Sequence, residues 1–137
     1  MRRTMLRAKI HRARVTGADI DYVGSISLCP TLMAEADILE FEQVHVLDVD
    51  NGNRLVTYAI VGEPGEVCLN GAAAHLVEVG HRVIVVTYTE VEEAELADFH
   101  PKVVHVDTDN HPVDAETARA LVGQRRYVTV PAGAAAV

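Results

Sequence analysis

Asp21-Tyr22-Val23-Gly24-Ser25-Ile26-Ser27 is a short extended segment with one unusual peptide bond at its centre, Gly24–Ser25. A serine hydroxyl lies one atom short of the carbonyl that precedes it, and glycine on the other side of that carbonyl has no Cβ to obstruct the approach. The chain can therefore attack itself: addition of the Ser25 hydroxyl to the Gly24 carbonyl is an N-to-O acyl shift that yields an ester, favoured in a strained, water-poor turn. Gly-Ser alone mostly marks ordinary turns. Its meaning here depends on the residues around it.

Outward from this segment the chain reads as mainly β. Upstream, Leu6, Ala8 and Ile10 alternate with Arg7, Lys9 and His11, a period-two pattern that predicts a strand. Residues 15–19 read as a connection. Downstream, Ile26-Ser27-Leu28 continues the extended segment until Pro30 stops it. Thr31 is placed to cap a brief helix to about Ile38, with Leu32, Ala36 and Leu39 inward and Glu35 and Asp37 outward. Val44 and Val46 alternate with His45 and Leu47 over residues 43–48, and Asn51-Gly52 then supplies two residues that tolerate positive φ, predicting a hairpin whose return strand is Arg54–Val61. Glu63-Pro64-Gly65-Glu66 is a turn and Val67-Cys68-Leu69 a short strand. Asn70-Gly71 makes a corner into one helical turn over residues 72–76, closed by Gly80. Residues 82–89 form a β-branched run expected to be buried on both faces. The four acids among residues 90–95 predict a solvated helix start. Lys102–Val106 is the last strand, turned by Asp109-Asn110; residues 114–122 suit a helix, and 131–137 are low in complexity.

Composition agrees with this reading. The 137 residues suffice for one domain, and with 49% hydrophobic residues, no Trp and two Phe, the core must come from Val, Ile, Leu and Ala. A net charge of −8 argues against a nucleic-acid surface. Yet Arg2, Arg3, Arg7, Lys9, Arg12 and Arg14 are half of the 12 basic residues, and no acid precedes Asp19. An organellar leader, a nucleic-acid arm and a folded strand are the three readings of such a start; the strand periodicity selects the third, with a cationic face suited to a small anion. No apolar run approaches the roughly 20 residues of a membrane helix, and no secretory pattern is present, so a cytoplasmic protein is expected. Cys29 and Cys68 have no metal or redox spacing and are expected to be buried thiols. His75, His81, His100, His105 and His111 likewise show no metal-ligand spacing, and no metal is expected.

Six blocks occur in order along the chain: Arg3-Thr4-Met5-Leu6, Lys9-Ile10-His11-Arg12, Tyr22-Val23-Gly24-Ser25, Asn51-Gly52, Arg54-Leu55-Val56-Thr57-Tyr58-Ala59-Ile60 and Asn70-Gly71-Ala72-Ala73-Ala74-His75. Together they resemble the bacterial pyruvoyl-dependent aspartate 1-decarboxylases over about residues 1–112. The resemblance implies a small closed, six-stranded-type double-psi β-barrel with a few short helices. It also implies a homotetramer with active sites between adjacent subunits, conversion of L-aspartate to β-alanine and CO2 for pantothenate, and a possible maturation factor. One domain would split into a β chain, 1–24, and an α chain, 25–137, whose tail from about residue 113 varies. The loop before Leu69 is shorter than in that family.

Decarboxylation beside an amine leaves a carbanion that no side chain can hold at neutral pH, so an electron sink is needed. Elimination from the Ser25 ester, then hydrolysis, would leave a pyruvoyl ketone able to form a Schiff base with the substrate, and no external cofactor would be required. Arg54 and Tyr58 lie four apart on one strand, hence on one face. Arg54 can hold a carboxylate in a bidentate fork and Lys9 adds a second charge; both suit the side-chain carboxylate, since charge on the leaving group would stabilise the ground state. The resemblance implies Tyr58 as proton donor and Thr57 as the residue steadying the Gly24 carbonyl during cleavage. Strict alternation turns Thr57 the other way. Asn70, with the N–H groups of Gly71, Ala72 and Ala73, can bind a carboxylate as a helix start does; His11 and Tyr22 line the pocket. Plain packing and turn roles explain each of these residues singly. A second reading, an uncut barrel that senses a dicarboxylate through Lys9 and Arg54, leaves the Tyr22-Val23-Gly24-Ser25 block without a purpose.

Overall fold

A computed structural model of the chain describes residues 1–122. The fold is mainly β: β1 (Arg2–Arg14), β2 (Gly17–Asp19), β3 (Ser25–Leu28), β4 (Gln43–Asp48), β5 (Arg54–Val61), β6 (Val67–Asn70), β7 (Arg82–Glu92), β8 (Lys102–Val106) and β9 (Pro112–Val113). Two short α-helices, α1 (Pro30–Ala36) and α2 (Ala115–Val122), and 3-10 helices at Gly71–Leu76 and Glu93–Asp98 complete the described residues. No helix among these is long and apolar enough to cross a membrane. The stretch 131–137 lies outside the described residues.

The strands form one sheet in the order β2-β6-β3-β5-β4-β7-β1-β8-β9. Only two residues, Val15 and Thr16, separate β1 from β2, although the two strands stand six places apart in that order. Three Cα steps reach at most about 10 Å, whereas six strand spacings across a flat sheet would be about 29 Å. The sheet must therefore roll up. The Val15 N–H donates to the His81 carbonyl at 2.8 Å and the Thr16 N–H to the Val67 carbonyl at 2.8 Å, so these two residues join the lead-in of β7 to β6. β1 with its continuation β2, and β3, β4, β5, β6 and β7, thus make a ring of six strands. The pairs β1/β8, β2/β6 and β3/β5 are parallel within an otherwise antiparallel sheet, which a simple meander cannot produce. Ile10, Ile26, Leu28, Leu32, Leu69, Val83 and Val85 fill the interior with no solvent exposure.

Several expectations are corrected. The solvated helix start read from the acids of residues 90–95 falls at Glu93, capped by Glu92 and Glu95, and β7 runs on through Glu92 before it because Arg2, Arg3 and Thr4 pair with Glu92, Val91 and Glu90. Arg2 lies 3.2 Å from Glu90 and Arg3 lies 3.1 Å from Glu93. Opposite charges across the strands thus favour Glu90 and Glu92 in the sheet. For the same reason the basic N-terminal strand is not an open cationic strip, since Arg7 also pairs with Glu42 at 2.6 Å. Residues 17–19 are a strand rather than a connection. Thr31 does not cap α1: Cys29 is the N-cap, with Pro30 in the first turn. Leu39 is exposed because the helix ends at Asp37, in the left-handed region at φ 55°, and Met33 and Ile38 are buried instead. The 3-10 helix ends at Leu76, and Gly80, at φ 92°, turns the chain just before β7. His11 leaves the polar face at a bulge where Arg12 takes φ 66°, and is buried against the His105 ring. The hairpin, the strand Lys102–Val106 and the 3-10 turn stand as expected.

Glu42 is a load point outside the site. Burial alone would raise its pKa, but the Leu39 N–H, the Thr87 hydroxyl and the Arg7 guanidinium all serve the carboxylate and hold it below its ordinary value. A depressed carboxylate pKa stabilises the fold above the unfolded value, and that stability is lost as pH falls through the folded one. Glu42→Ala is expected to cost roughly 1 to 3 kcal/mol at neutral pH, read by thermal melting, with the deficit shrinking in acid. A melting point unchanged at neutral pH would contradict this.

Candidate active site

Strand pairing and one cleft assemble the site. In the antiparallel β3/β6 pair, Ser25 stands opposite Asn70. In the parallel β3/β5 pair, Ile26, Ser27 and Leu28 stand opposite Ala59, Ile60 and Val61. That pairing stops at Ile26 and Ala59. Because β3 begins at Ser25, the stretch of β5 from Arg54 to Tyr58 has β4 on one edge and no strand of the sheet on the other. An open cleft of about 460 Å³ occupies that gap, lined by Gly24, Leu55, Val56, Thr57, Tyr58, Asn70, Ala72, Ala73 and Leu76. Four successive β5 residues reach it, so alternation does not separate Thr57 from Tyr58 at an unpaired edge. Tyr58 is partly covered by Phe41, with ring centroids 6.4 Å apart.

Ser25 is fully buried. Its hydroxyl donates to the Val23 carbonyl at 3.0 Å and accepts from Asn70 Nδ2, also at 3.0 Å. Asn70 Nδ2 donates to the Ser27 hydroxyl at 3.0 Å as well. The Asn70 side chain is thus directed at the serine, a role that its reading as a corner residue misses. Gly24 is exposed, with open space where a Cβ would stand. The two sides of the bond therefore differ: a dry hydroxyl faces a solvent-reached glycine. Positive φ is found next door, at Gly71 (φ 67°), where a Cβ would lie 2.7 Å from Gly24 Cα, 2.9 Å from Gly24 N and 3.1 Å from the Tyr22 carbonyl oxygen. Only a glycine lets this corner close on the bond.

A profile of the aspartate decarboxylase family matches residues 1–113, and the "Aspartate 1-decarboxylase" of Mycolicibacterium smegmatis is 56% identical over 115 residues, 82% of this chain and 85% of that protein. The chain belongs to the aspartate decarboxylase family. It is by that membership a lyase. The family match spans every residue of the cleft and stops just before α2.

Not all expected site residues reach the cleft within one chain of this aspartate decarboxylase family member. Arg54 is exposed at the start of β5, next to the lining residue Leu55. Tyr22 is half exposed beside Gly24, and only its backbone approaches the Gly71 corner. Lys9 lies on β1 between Val86 and Val103, half-buried, and burial lowers its pKa. His11 lines a separate, small cavity with Arg12, Arg14, Arg82 and Val106. Two carboxylate-histidine groups, Asp48/Asp50/His81 and Asp107/Asp109/His111, are brought together by turns, which sequence spacing does not reveal.

Proposed function

We propose that this chain cuts itself between Gly24 and Ser25 and then decarboxylates L-aspartate at its α-carboxylate to give β-alanine and CO2. The observation that carries the reading is the one cleft lined by Gly24, Thr57, Tyr58 and Asn70, with Ser25 paired to Asn70 across the sheet and Gly71 packed against Gly24. In the cleavage the Ser25 oxygen bonds to the Gly24 carbonyl carbon and the C–N bond breaks, leaving an ester and a free amine. Loss of the Ser25 α-proton expels the Gly24 carboxylate, and water then replaces the enamine nitrogen, which leaves as ammonia. The Thr57 hydroxyl donates to the Gly24 oxygen while it carries negative charge. Asn70 fixes the hydroxyl through Nδ2.

Ser25, dry, held by Asn70 and bonded to the cleft residue Gly24, fits the position of a pyruvoyl precursor. A ketone there supplies the electron sink that side chains lack. Around it, Tyr58 delivers a proton to the carbon that CO2 has left. Arg54 and Lys9 hold the substrate's side-chain carboxylate, with the N–H groups of Gly71, Ala72 and Ala73 bordering the same space, and His11 and Tyr22 close the pocket. Lys9 and His11 stand away from the cleft of their own chain, which favours a site completed between adjacent subunits of a homotetramer. The exposed Ile20, Tyr22, Val23 and Val56 favour it too. We place the enzyme in the cytoplasm, in the supply of β-alanine for pantothenate, with a maturation factor as an optional aid.

Two substitutions separate maturation from turnover. Thr57→Val is expected to leave most of the chain uncut, whereas Tyr58→Phe cuts normally and loses about 100-fold or more in kcat, as removal of a general acid does. Intact mass and a β-alanine assay read the two effects. A Tyr58→Phe chain that stays whole, beside a Thr57→Val chain that cuts at the normal rate, would reverse the assignment.

A further inference from the structure

The wall of the cleft opposite β5 is the 3-10 helix Gly71–Leu76, which carries Ala72, Ala73 and Leu76. Six residues make too short a helix to hold its place by its own hydrogen bonds. Its last carbonyl, that of Leu76, accepts from two side-chain amides at once: Asn51 Nδ2 at 2.9 Å and Asn53 Nδ2 at 2.9 Å. Both amides belong to the β4–β5 turn, whose return strand forms the other wall. One turn therefore sets the distance between both sides of the cleft.

That turn is itself held at its root. Asp48 is almost wholly buried, and its Oδ1 accepts from the N–H groups of Asp50 and Asn51 at 2.8 and 3.2 Å. Its Oδ2 faces His81 Nδ1 at 2.7 Å. His81 Nε2 lies 3.2 Å from Glu78, and the neighbouring Arg82 donates to Asp50 through its backbone N–H at 2.7 Å and through its guanidinium. We propose that Asn51 and Asn53 position the substrate-binding helix through the Leu76 carbonyl, and that His81, acting on Asp48, is the protonation-dependent latch of that turn. The inference rests on the reading above that the residues of this helix border the substrate carboxylate.

The sign of the pH effect follows from the groups around the imidazole. Asp48, Glu78 and Asp50 all favour its charged form, with the Asp48 hydrogen bond foremost, against partial burial; Arg82, engaged by Asp50, Arg14 on the Gly80 carbonyl and Arg12 are the nearby cations among the described residues. The His81 pKa is therefore raised. The charged latch is complete below the ordinary imidazole range and loosens as pH climbs through the raised value. His81→Asn keeps a side-chain N–H at the place of Nδ1 and removes the titration.

The test uses the matured enzyme and, in parallel, the uncut Ser25→Ala chain. For Asn53→Ala the KM for L-aspartate is expected to rise about fivefold or more with kcat within about twofold. Across about pH 6 to 8.5, the ratio of wild-type KM to His81→Asn KM is expected to increase about threefold. In the uncut chain, amide exchange at residues 72–76 is expected to speed up about tenfold on Asn53→Ala, a readout that needs no activity. Unchanged exchange would overturn the clamp. Faster exchange with an unmoved KM would overturn its link to substrate, and a pH-independent ratio would overturn the latch. A matured wild type that makes no β-alanine removes the functional reading instead, and the exchange arm still decides the clamp.

Discussion

Ser25→Ala is expected to remain one polypeptide after prolonged warm incubation, with the mass of the whole chain and no β-alanine formed, while wild type resolves into pieces of residues 1–24 and 25–137. The substitution removes a single oxygen, the only nucleophile placed against the Gly24 carbonyl by its own backbone. Its other effects are small. Asn70 Nδ2 keeps its bond to the Ser27 hydroxyl, so no buried amide is stranded, and the loss of one hydrogen bond at Ser25 costs about 1 kcal/mol. Melting close to that of the uncut wild type, together with complete loss of cleavage, is the combined result expected. Cleavage of Ser25→Ala at the same bond would mean that another group attacks it.

Gly71→Ala is expected to have the second largest effect, although residue 71 bears no side chain and lies 46 positions beyond the serine. The new methyl group meets two penalties. A φ of 67° costs a residue with a Cβ about 1 to 2 kcal/mol. The methyl would also stand 2.7 Å from Gly24 Cα and 2.9 Å from Gly24 N, backbone atoms that cannot rotate aside. Either the corner opens or Gly24 is displaced from its place in the cleft beside Thr57. On the proposed cleavage, both outcomes would move the Gly24 carbonyl away from the Thr57 hydroxyl, so cleavage should slow by at least about 100-fold, with a stability loss of roughly 2 to 4 kcal/mol. Once the chain is cut, Gly24 is free to move and the clash is relieved. The uncut form should therefore suffer more than any matured fraction. A Gly71→Ala chain that cuts at the wild-type rate would show that the corner does not bear on the bond.

What could be read in advance divides along physical lines. Local signals worked where one element decides its own shape: Asn51-Gly52 between two alternating runs is sufficient for the β4–β5 hairpin, and Lys102–Val106 for β8. Signals that depend on a distant partner did not. The exposed acids Glu90 and Glu92 read as part of a helix start until Arg2 and Thr4 are set across from them in β1. Leu39 looks inward only if α1 continues past Asp37. The candidate site follows the same division. Ser25, Thr57, Tyr58 and Asn70 were identifiable as residues, through the family blocks around them. That Asn70 aims its amide at the Ser25 hydroxyl depends on pairing across 45 positions, and the bond from the Arg14 N–H to Asn110 Oδ1 spans 96; no periodicity encodes either. The latch at His81 is invisible for the same reason: Asp48, Asn53, Leu76 and His81 meet only when the hairpin folds over the start of β7.

The most direct measurement is the chemical nature of residue 25 at the head of the larger fragment. Borohydride treatment of freshly matured protein in the presence of L-aspartate should fix the amino acid covalently to that fragment as a reduced Schiff base, adding the mass of aspartate, or of the β-alanine formed from it, less one oxygen to a carbonyl-bearing N-terminus. An ordinary serine amine there, unmodified by the treatment, would contradict the account.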